Sequence, residues 1–488
     1  MKTTTRNLIL LAAGAFLLPV PSRAQDAAQM VPPKSAMERK NRAPVAKETL
    51  RVRFPKPQEF TLPNGMKVMI LEDHKLPTVS MSMRIAAGSF FEPAEKQGLA
   101  SMVASMLSEG TTSRTSQKLA AEVDSLGADL NASADQGGEF AVIGAGGFAE
   151  DFNTLVTLMA DIARNPVFPE DQFAKIKVQT SAGLTQAARN PRSLTRWLAL
   201  QSVYGDSAPA RVMPTPEHVD ALTRQDLVAF HETYYRPDRV ILGISGDVNP
   251  DEALKTIRDA FGTWQKGSAP LRAELPEYKR NTETRSLVLD RPGSVQTILR
   301  IGNLGLNRKN PDYFPAFVMN FILGGTGSSR LEFNLREMNS LTYVARSLFS
   351  APRYPGYIGA TTEVRNAVTA KAVEEIFNEF KRMQTEPVSD EELNNTKRSL
   401  VGSFALELES PESLLSYAMM VEEQGLPKDY WDRYPEHIEA VTQTQIMEVA
   451  RKYLGDKGYQ IVAVGERASI EPALKPYGEI TFVPDPSK

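Results

Sequence analysis

Cysteine is absent from the 488 residues. That excludes a disulfide, a thiol nucleophile, a Cys-ligated zinc or iron–sulfur centre and a lipidated cysteine. Histidine is scarce. His74, His218, His231 and His437 are the only four, and no two lie within five residues of each other, so a short His–His metal motif on one helix face has no place here. An excess of one charge is missing as well. The 56 basic and 59 acidic side chains leave a net −3, which excludes a polybasic nucleic-acid binder and an acidic disordered chain. No Gly-x-Ser-x-Gly elbow is present, because Gly243-Ile-Ser-Gly-Asp247 has the wrong spacing. Past the N-terminus no apolar run approaches the ~18 residues of a membrane span.

What remains is 42% hydrophobic, 24% charged and 8% aromatic, the balance of a soluble globular chain with room for roughly two to four domains. Lys2 and Arg6 precede an apolar run from Leu8 to Val20, and Ser22-Arg23-Ala24 offers small residues at a cleavage position. Residues 1–24 therefore read as a secretory signal peptide, and a cysteine-free exported chain points to a bacterial periplasm. Residues 25–57, rich in Pro, Lys, Arg, Ala and Gln, read as an extended or disordered arm. The turn at Pro63-Asn64-Gly65 and the alternation over 66–71 and 78–86 then predict two strands.

The chain carries one long internal period. Leu222-Thr223 and Val441-Thr442 stand 219 apart, and so do Leu227 and Ile446, Tyr234 and Tyr453, Leu242 and Ile461, and Gly246 and Gly465. In both copies an amphipathic helix ends near a tyrosine and a strand follows. Asn165-Pro-Val-Phe-Pro-Glu-Asp and Glu386-Pro-Val-Ser-Asp-Glu-Glu each enter a helix through proline and acidic residues. The expectation is two homologous α+β halves with largely antiparallel sheets, 58–268 and 285–482, joined by a linker at 269–284.

The stretch Gly98-Leu-Ala-Ser-Met-Val-Ala-Ser-Met-Leu107 places Leu99, Met102, Val103, Met106 and Leu107 on one helical face. Beside this face runs a stripe of small residues, Ser101, Ala104, Ser105 and Ser108. Further phrases are Ala87-Gly-Ser89, Gly110-Thr111, Leu126-Gly-Ala128, Pro166-Val-Phe168, Tyr235-Arg-Pro237 and Gly246-Asp-Val248. In the second half come Gln296, Leu323-Gly-Gly325, Ser329-Arg-Leu331, Leu335-Arg-Glu337 and Leu341-Thr-Tyr343. In order and spacing, over roughly residues 58–470, these resemble the insulinase/pitrilysin (M16) peptidases, and most of all the processing-peptidase branch. The resemblance implies two α+β halves forming a clam-like chamber.

In active members of that family the helix carries His-x-x-Glu-His, where two histidines bind zinc and the glutamate takes a proton from the zinc-bound water. Here those positions are Ser101, Ala104 and Ser105. The family's third ligand, a glutamate about 76 residues further on, would fall within 174–183, which reads Ala-Lys-Ile-Lys-Val-Gln-Thr-Ser-Ala-Gly and holds no carboxylate. No metal is expected in this chain.

Arg336 and Tyr343 stand seven apart. By residue type alone they fit an arginine on a solvated helix face and a core tyrosine just as well as a working pair. The resemblance implies the working pair: a guanidinium and a phenol that reach toward the zinc site, contact the substrate carbonyl and stabilise the oxyanion. In the processing peptidases a glycine-rich loop near substrate falls where Gly324, Gly325 and Gly327 stand, although a plain structural turn explains these glycines too.

The implied role is the non-catalytic subunit of a heterodimeric protease. A second chain would bear His-x-x-Glu-His and the zinc, and unfolded or extended peptides would be the substrate. The alternative is a structural or scaffolding relative with no proteolytic role. Gly137-Gly-Glu-Phe140 spells the diguanylate cyclase signature, but no Asp-rich magnesium site lies nearby. His231, His74 and His437 read as non-catalytic, the last two in polar, turn-like surroundings.

Overall fold

The computed structural model describes residues 53–486. The expected signal peptide and residues 25–52 of the expected arm lie outside that range. Residues 53–57 form irregular chain, with Phe54 buried.

Twelve strands form two six-stranded sheets among the described residues. The first half supplies β1 (Gln58–Thr61), β2 (Lys67–Glu72), β3 (Thr78–Ile85), β4 (Asp129–Ala134), β5 (Ala141–Phe148) and β6 (Val240–Gly246), in the spatial order β1-β2-β6-β3-β5-β4. The second supplies β7 (Arg285–Asp290), β8 (Gln296–Leu304), β9 (Thr342–Phe349), β10 (Tyr357–Arg365), β11 (Gln460–Gly465) and β12 (Glu479–Val483), in the order β12-β7-β11-β8-β10-β9. Setting aside β1 and β12, the two orders are the same. Pairing is antiparallel except at β2–β6, β7–β11 and β7–β12. The outer strand is where the halves differ. β1 returns to β2 as an antiparallel hairpin, whereas β12 arrives from the C-terminus and runs parallel to β7.

The repeat read from the sequence maps onto matching elements. Tyr234 and Tyr453 each close an eleven-residue helix, Arg224–Tyr234 and Gln443–Tyr453, and Thr223 and Thr442 start these helices with the same reciprocal capping box. Gly246 and Gly465 each end the strand that follows. At Gly246 the residue type is forced. Its φ is +130°, and a Cβ would lie 2.1 Å from the Thr78 carbonyl oxygen.

The halves are tied by an exchange of helices. Helix Pro191–Tyr204 of the first half lies on the second sheet, where Leu194, Leu198, Ala199 and Val203 pack with Leu289, Leu304, Val462 and Val464. Its counterpart Pro411–Gln424 lies on the first sheet, where Leu414, Leu415, Ala418 and Met419 join the core cluster that includes Met69, Leu71 and Ile241. Both helices have proline at N1, a side-chain N-cap (Asn190, Ser410) and a glycine with positive φ directly after them (Gly205, Gly425). A fully buried Leu or Val contributes about 1.5–3 kcal/mol, whereas an exposed ion pair contributes about 0–1 kcal/mol. Apolar contact therefore holds the exchange. Arg84–Glu423 at 2.6 Å joins helix Pro411–Gln424 to β3, and Arg353–Glu139 at 2.8 Å adds a further link between the halves.

The tightest point of the exchange yields a prediction. A Cβ on Gly243 of β6 would lie 2.7 Å from Met419 Sδ and 2.8 Å from Leu415 Cδ2. Gly243→Val should cost about 1–3 kcal/mol through overpacking, read as a lower urea midpoint. Gly183→Ala, in the middle of helix Glu170–Arg189 with open space around the Cβ position, should instead add up to about 1 kcal/mol of stability and raise the midpoint.

Candidate functional site

Helix Leu99–Met106 starts at Gly98, whose φ of +91° suits glycine, and glycine has no side chain to cap the helix. Glu92 caps it from outside. Its carboxylate accepts hydrogen bonds from the Gly98 N–H (3.0 Å) and the Ala100 N–H (2.7 Å). Burial raises the Glu92 pKa to about 7, against the lowering effect of those two bonds and of Arg211. Leu99, Met102, Val103 and Met106 are buried, as their spacing predicts.

The small residues of this helix do not fit a zinc ion. Ala104 is fully buried and carries no ligand atom, Ser105 faces solvent, and Ser101 is half-buried. Serine hydroxyls are weak zinc ligands at neutral pH. Helix Glu170–Arg189 packs against this helix, and its only carboxylates, Glu170 and Asp171, sit in its own first turn. Among the described residues no group of three or more His, Cys, Asp or Glu side chains could hold a metal ion.

The second half presents the other constellation. Arg336 lies in a π-helical turn, Phe333–Met338, and is half-exposed. Tyr343 lies near the start of β9 and is 85% exposed, so it is not a core tyrosine. β9 pairs with β10 alone, and the register slips at this point. Ala345 opposes Thr362 and Thr342 opposes Val364, which leaves Tyr343 and Val344 together opposite Glu363. A β-bulge of this kind re-aims the side chains it carries.

Glu332 joins the two elements. It is 5% exposed. One carboxylate oxygen accepts from Arg336 Nη1 at 2.9 Å, and the other accepts from the Ala345 N–H at 2.7 Å. Its hydrogen bond is the main cause of the raised Arg336 pKa. Sequence reasoning passed over Glu332, although its i, i+4 spacing to Arg336 is a readable helix-pair signal.

The glycine loop divides in two. Gly324 is buried at the end of helix Tyr313–Gly324, and a Cβ there would lie 2.0 Å from the Ser347 N of β9. Its small size serves packing. Gly327 faces open space, and Gly325 is exposed. Gly137-Gly-Glu-Phe140 is a structural hook. Ser89 Oγ accepts from the Gly137 and Gly138 N–H groups, while Glu139 pairs with Arg353 of the second half. His231 is buried and bonded to the Ala163 carbonyl, and burial lowers its pKa to about 4. His437 corrects the sequence reading. It belongs to a short helix, Tyr434–Glu439, and stacks on Phe314 at 4.6 Å.

Comparison with known proteins agrees with this layout. The family model for insulinase (peptidase family M16) matches residues 67–206, and the model for the peptidase M16 inactive domain matches residues 221–400. An uncharacterized zinc protease of Bacillus subtilis is 25% identical over 363 residues, covering 74% of this chain and 86% of its own. The bovine mitochondrial-processing peptidase subunit beta is 25% identical over 426 residues, covering 84% of each chain. Among solved structures, a peptidase M16 inactive domain from Pseudomonas fluorescens superposes with a TM-score of 0.78 at 24% identity, covering 84% of this chain and 98% of its own. A Helicobacter pylori protease gives 0.79 at 18% identity, covering 85% and 100%. These likenesses to solved structures concern the fold.

Glu92 gives the helix a pH signature. Its folded pKa of about 7 lies above the ordinary 4.5. Its favourable contribution is therefore complete below pH 4.5 and is lost as pH rises through 7, by about 3 kcal/mol at most. Glu92→Gln keeps an acceptor and removes the titration. The variant should match wild type in urea unfolding at pH 5 and exceed it at pH 8. Equal differences at both pH values would refute the assignment.

Proposed function

Because this chain belongs to the insulinase (M16) peptidase family, we propose that it is the non-catalytic member of a two-chain zinc peptidase of the bacterial periplasm. The observation that carries this reading is an asymmetry between the halves. The first half has no metal ligands on its helix, whereas the second keeps Tyr343 exposed at the bulge and a half-exposed Arg336 held by the buried Glu332, which also bonds the Ala345 N–H of the same strand as Tyr343. A solvated arginine and a stray surface tyrosine would not require a buried carboxylate spanning both elements.

In this reading a second chain bearing His-x-x-Glu-His supplies zinc and the general base. This chain supplies donors. The Arg336 guanidinium and the Tyr343 hydroxyl stabilise negative charge on the substrate carbonyl oxygen as the tetrahedral intermediate forms. An extended peptide adds as a strand to an open sheet edge. β4 suits this, since it pairs with β5 alone and packs beside the Ser101 helix. The loop at Gly325 and Gly327 would lie along the peptide. Among the described residues no helix is long and apolar enough to cross a membrane, in keeping with work on peptides in solution. The relatives, among them a zinc protease and a processing-peptidase subunit, favour a proteolytic role over a scaffolding one.

The test mixes this chain with a zinc-bearing family member from the same organism and follows cleavage of a quenched peptide. Arg336→Ala and Tyr343→Phe should each lower kcat by about 10²–10³ with a smaller change in KM. Glu332→Gln should lower kcat less and leave zinc content unchanged. Full activity of the Arg336/Tyr343 double variant at saturating subunit would reduce the chain to a scaffold.

A further inference from the structure

A cavity of about 470 Å³ lies between the halves, with no residue of the Ser101 helix in its lining, and several of its polar groups are unmatched. Arg300 reaches it from β8, and Arg196 reaches it from the crossed helix Pro191–Tyr204. No ion pair or hydrogen bond to a protein acceptor involves either guanidinium among the described residues, and no carboxylate lines the cavity. The nearby acids are engaged elsewhere: Glu139 with Arg353, and Glu363 with Arg192. Burial, then the neighbouring Arg196 charge, lowers the Arg300 pKa, while Tyr357 opposes them. Arginine nonetheless stays protonated, so two like charges face one space without a counterion.

Three more groups are orphaned at the same place. Tyr357 is 5% exposed, lines the cavity, and its hydroxyl has no hydrogen-bond partner. The side-chain oxygens of Gln136 and Gln424 are buried and equally unmatched. Rotation of either amide would present its N–H₂ instead. Buried polar groups are rarely left without a partner, and two neighbouring guanidinium groups with no protein acceptor suit an anion. The other walls are apolar and aromatic, including Leu348 and Tyr354.

We propose that this cavity binds an apolar carboxylate, the C-terminal residue of an extended peptide. Arg300 and Arg196 would grip the carboxylate, Tyr357 would donate to it, and the apolar walls would take the side chain. A planar guanidinium matches a carboxylate with two parallel hydrogen bonds. Insofar as the ligand is a peptide, the inference rests on the proposed function, but the site stands on its own geometry.

Fluorescence anisotropy with the full chain alone, without a zinc-bearing partner, provides the test. The probe is a labelled peptide ending in phenylalanine, prepared as the free acid and as the amide. N-acetylphenylalanine serves as competitor. The acid should bind at least tenfold tighter than the amide, and both Arg196→Gln and Arg300→Met should erase that difference. Arg196 is exposed, so its variant keeps the fold. Arg300→Met removes an unpaired, largely buried charge and should leave the thermal midpoint unchanged or higher. Equal affinity for acid and amide, or unchanged acid binding in Arg196→Gln, would overturn the proposal. If neither peptide binds but N-acetylphenylalanine does so saturably by titration calorimetry, and loses binding in Arg196→Gln, the carboxylate site stands and the peptide reading falls. If none of the three binds, the site itself is refuted.

Discussion

The two halves depend on a reciprocal burial. Each sheet is covered on one face by a helix that belongs to the other half, Pro191–Tyr204 in one direction and Pro411–Gln424 in the other. Neither sheet can complete its core from its own sequence. This couples regions more than 200 residues apart into one cooperative body. It also fixes where the functional elements stand, since β9 and the cavity between the halves are positioned by the same contacts.

Electrostatics then does local work on this frame. Glu332 is buried, but both of its oxygens are used, one on a cation and one on a backbone N–H. Such a carboxylate is well compensated. It converts a flexible arginine on a π-helical turn into a group of defined direction relative to the Tyr343 bulge. Glu92 plays a comparable part at the Ser101 helix, but it has only N–H partners and no cation close enough to offset its burial. Both carboxylates brace a helix, Glu332 through a cation and a backbone N–H, Glu92 through backbone N–H groups alone.

The duplication was legible because evolution kept its punctuation. Thr223 and Thr442 retain the same capping box, and Gly246 and Gly465 end the same strand. That Ser101, Ala104 and Ser105 offer no strong metal ligand was legible because ligand chemistry depends on residue type. The exchange of helices was not. Amphipathic periodicity says that a face is buried, never which surface buries it. A signal was there: Asn190-Pro191 and Ser410-Pro411 stand 220 apart, and so do Gly205 and Gly425. Arg300 was likewise passed over, although it interrupts the apolar run of β8 between Leu299 and Ile301. Glu332 could be found as half of a helix pair, but its second bond, to Ala345, needed the fold.

The crossed helices also bear on origin. A single half owns one apolar helix to give and one sheet face to cover, and the two are complementary. Two copies of such a half, related by a two-fold axis, would satisfy each other fully, because a closed isologous interface uses the same patch on both members. The chain is thus organised as a homodimer whose subunits have been fused. Fusion frees the two copies to diverge independently, as their different outer strands β1 and β12 show.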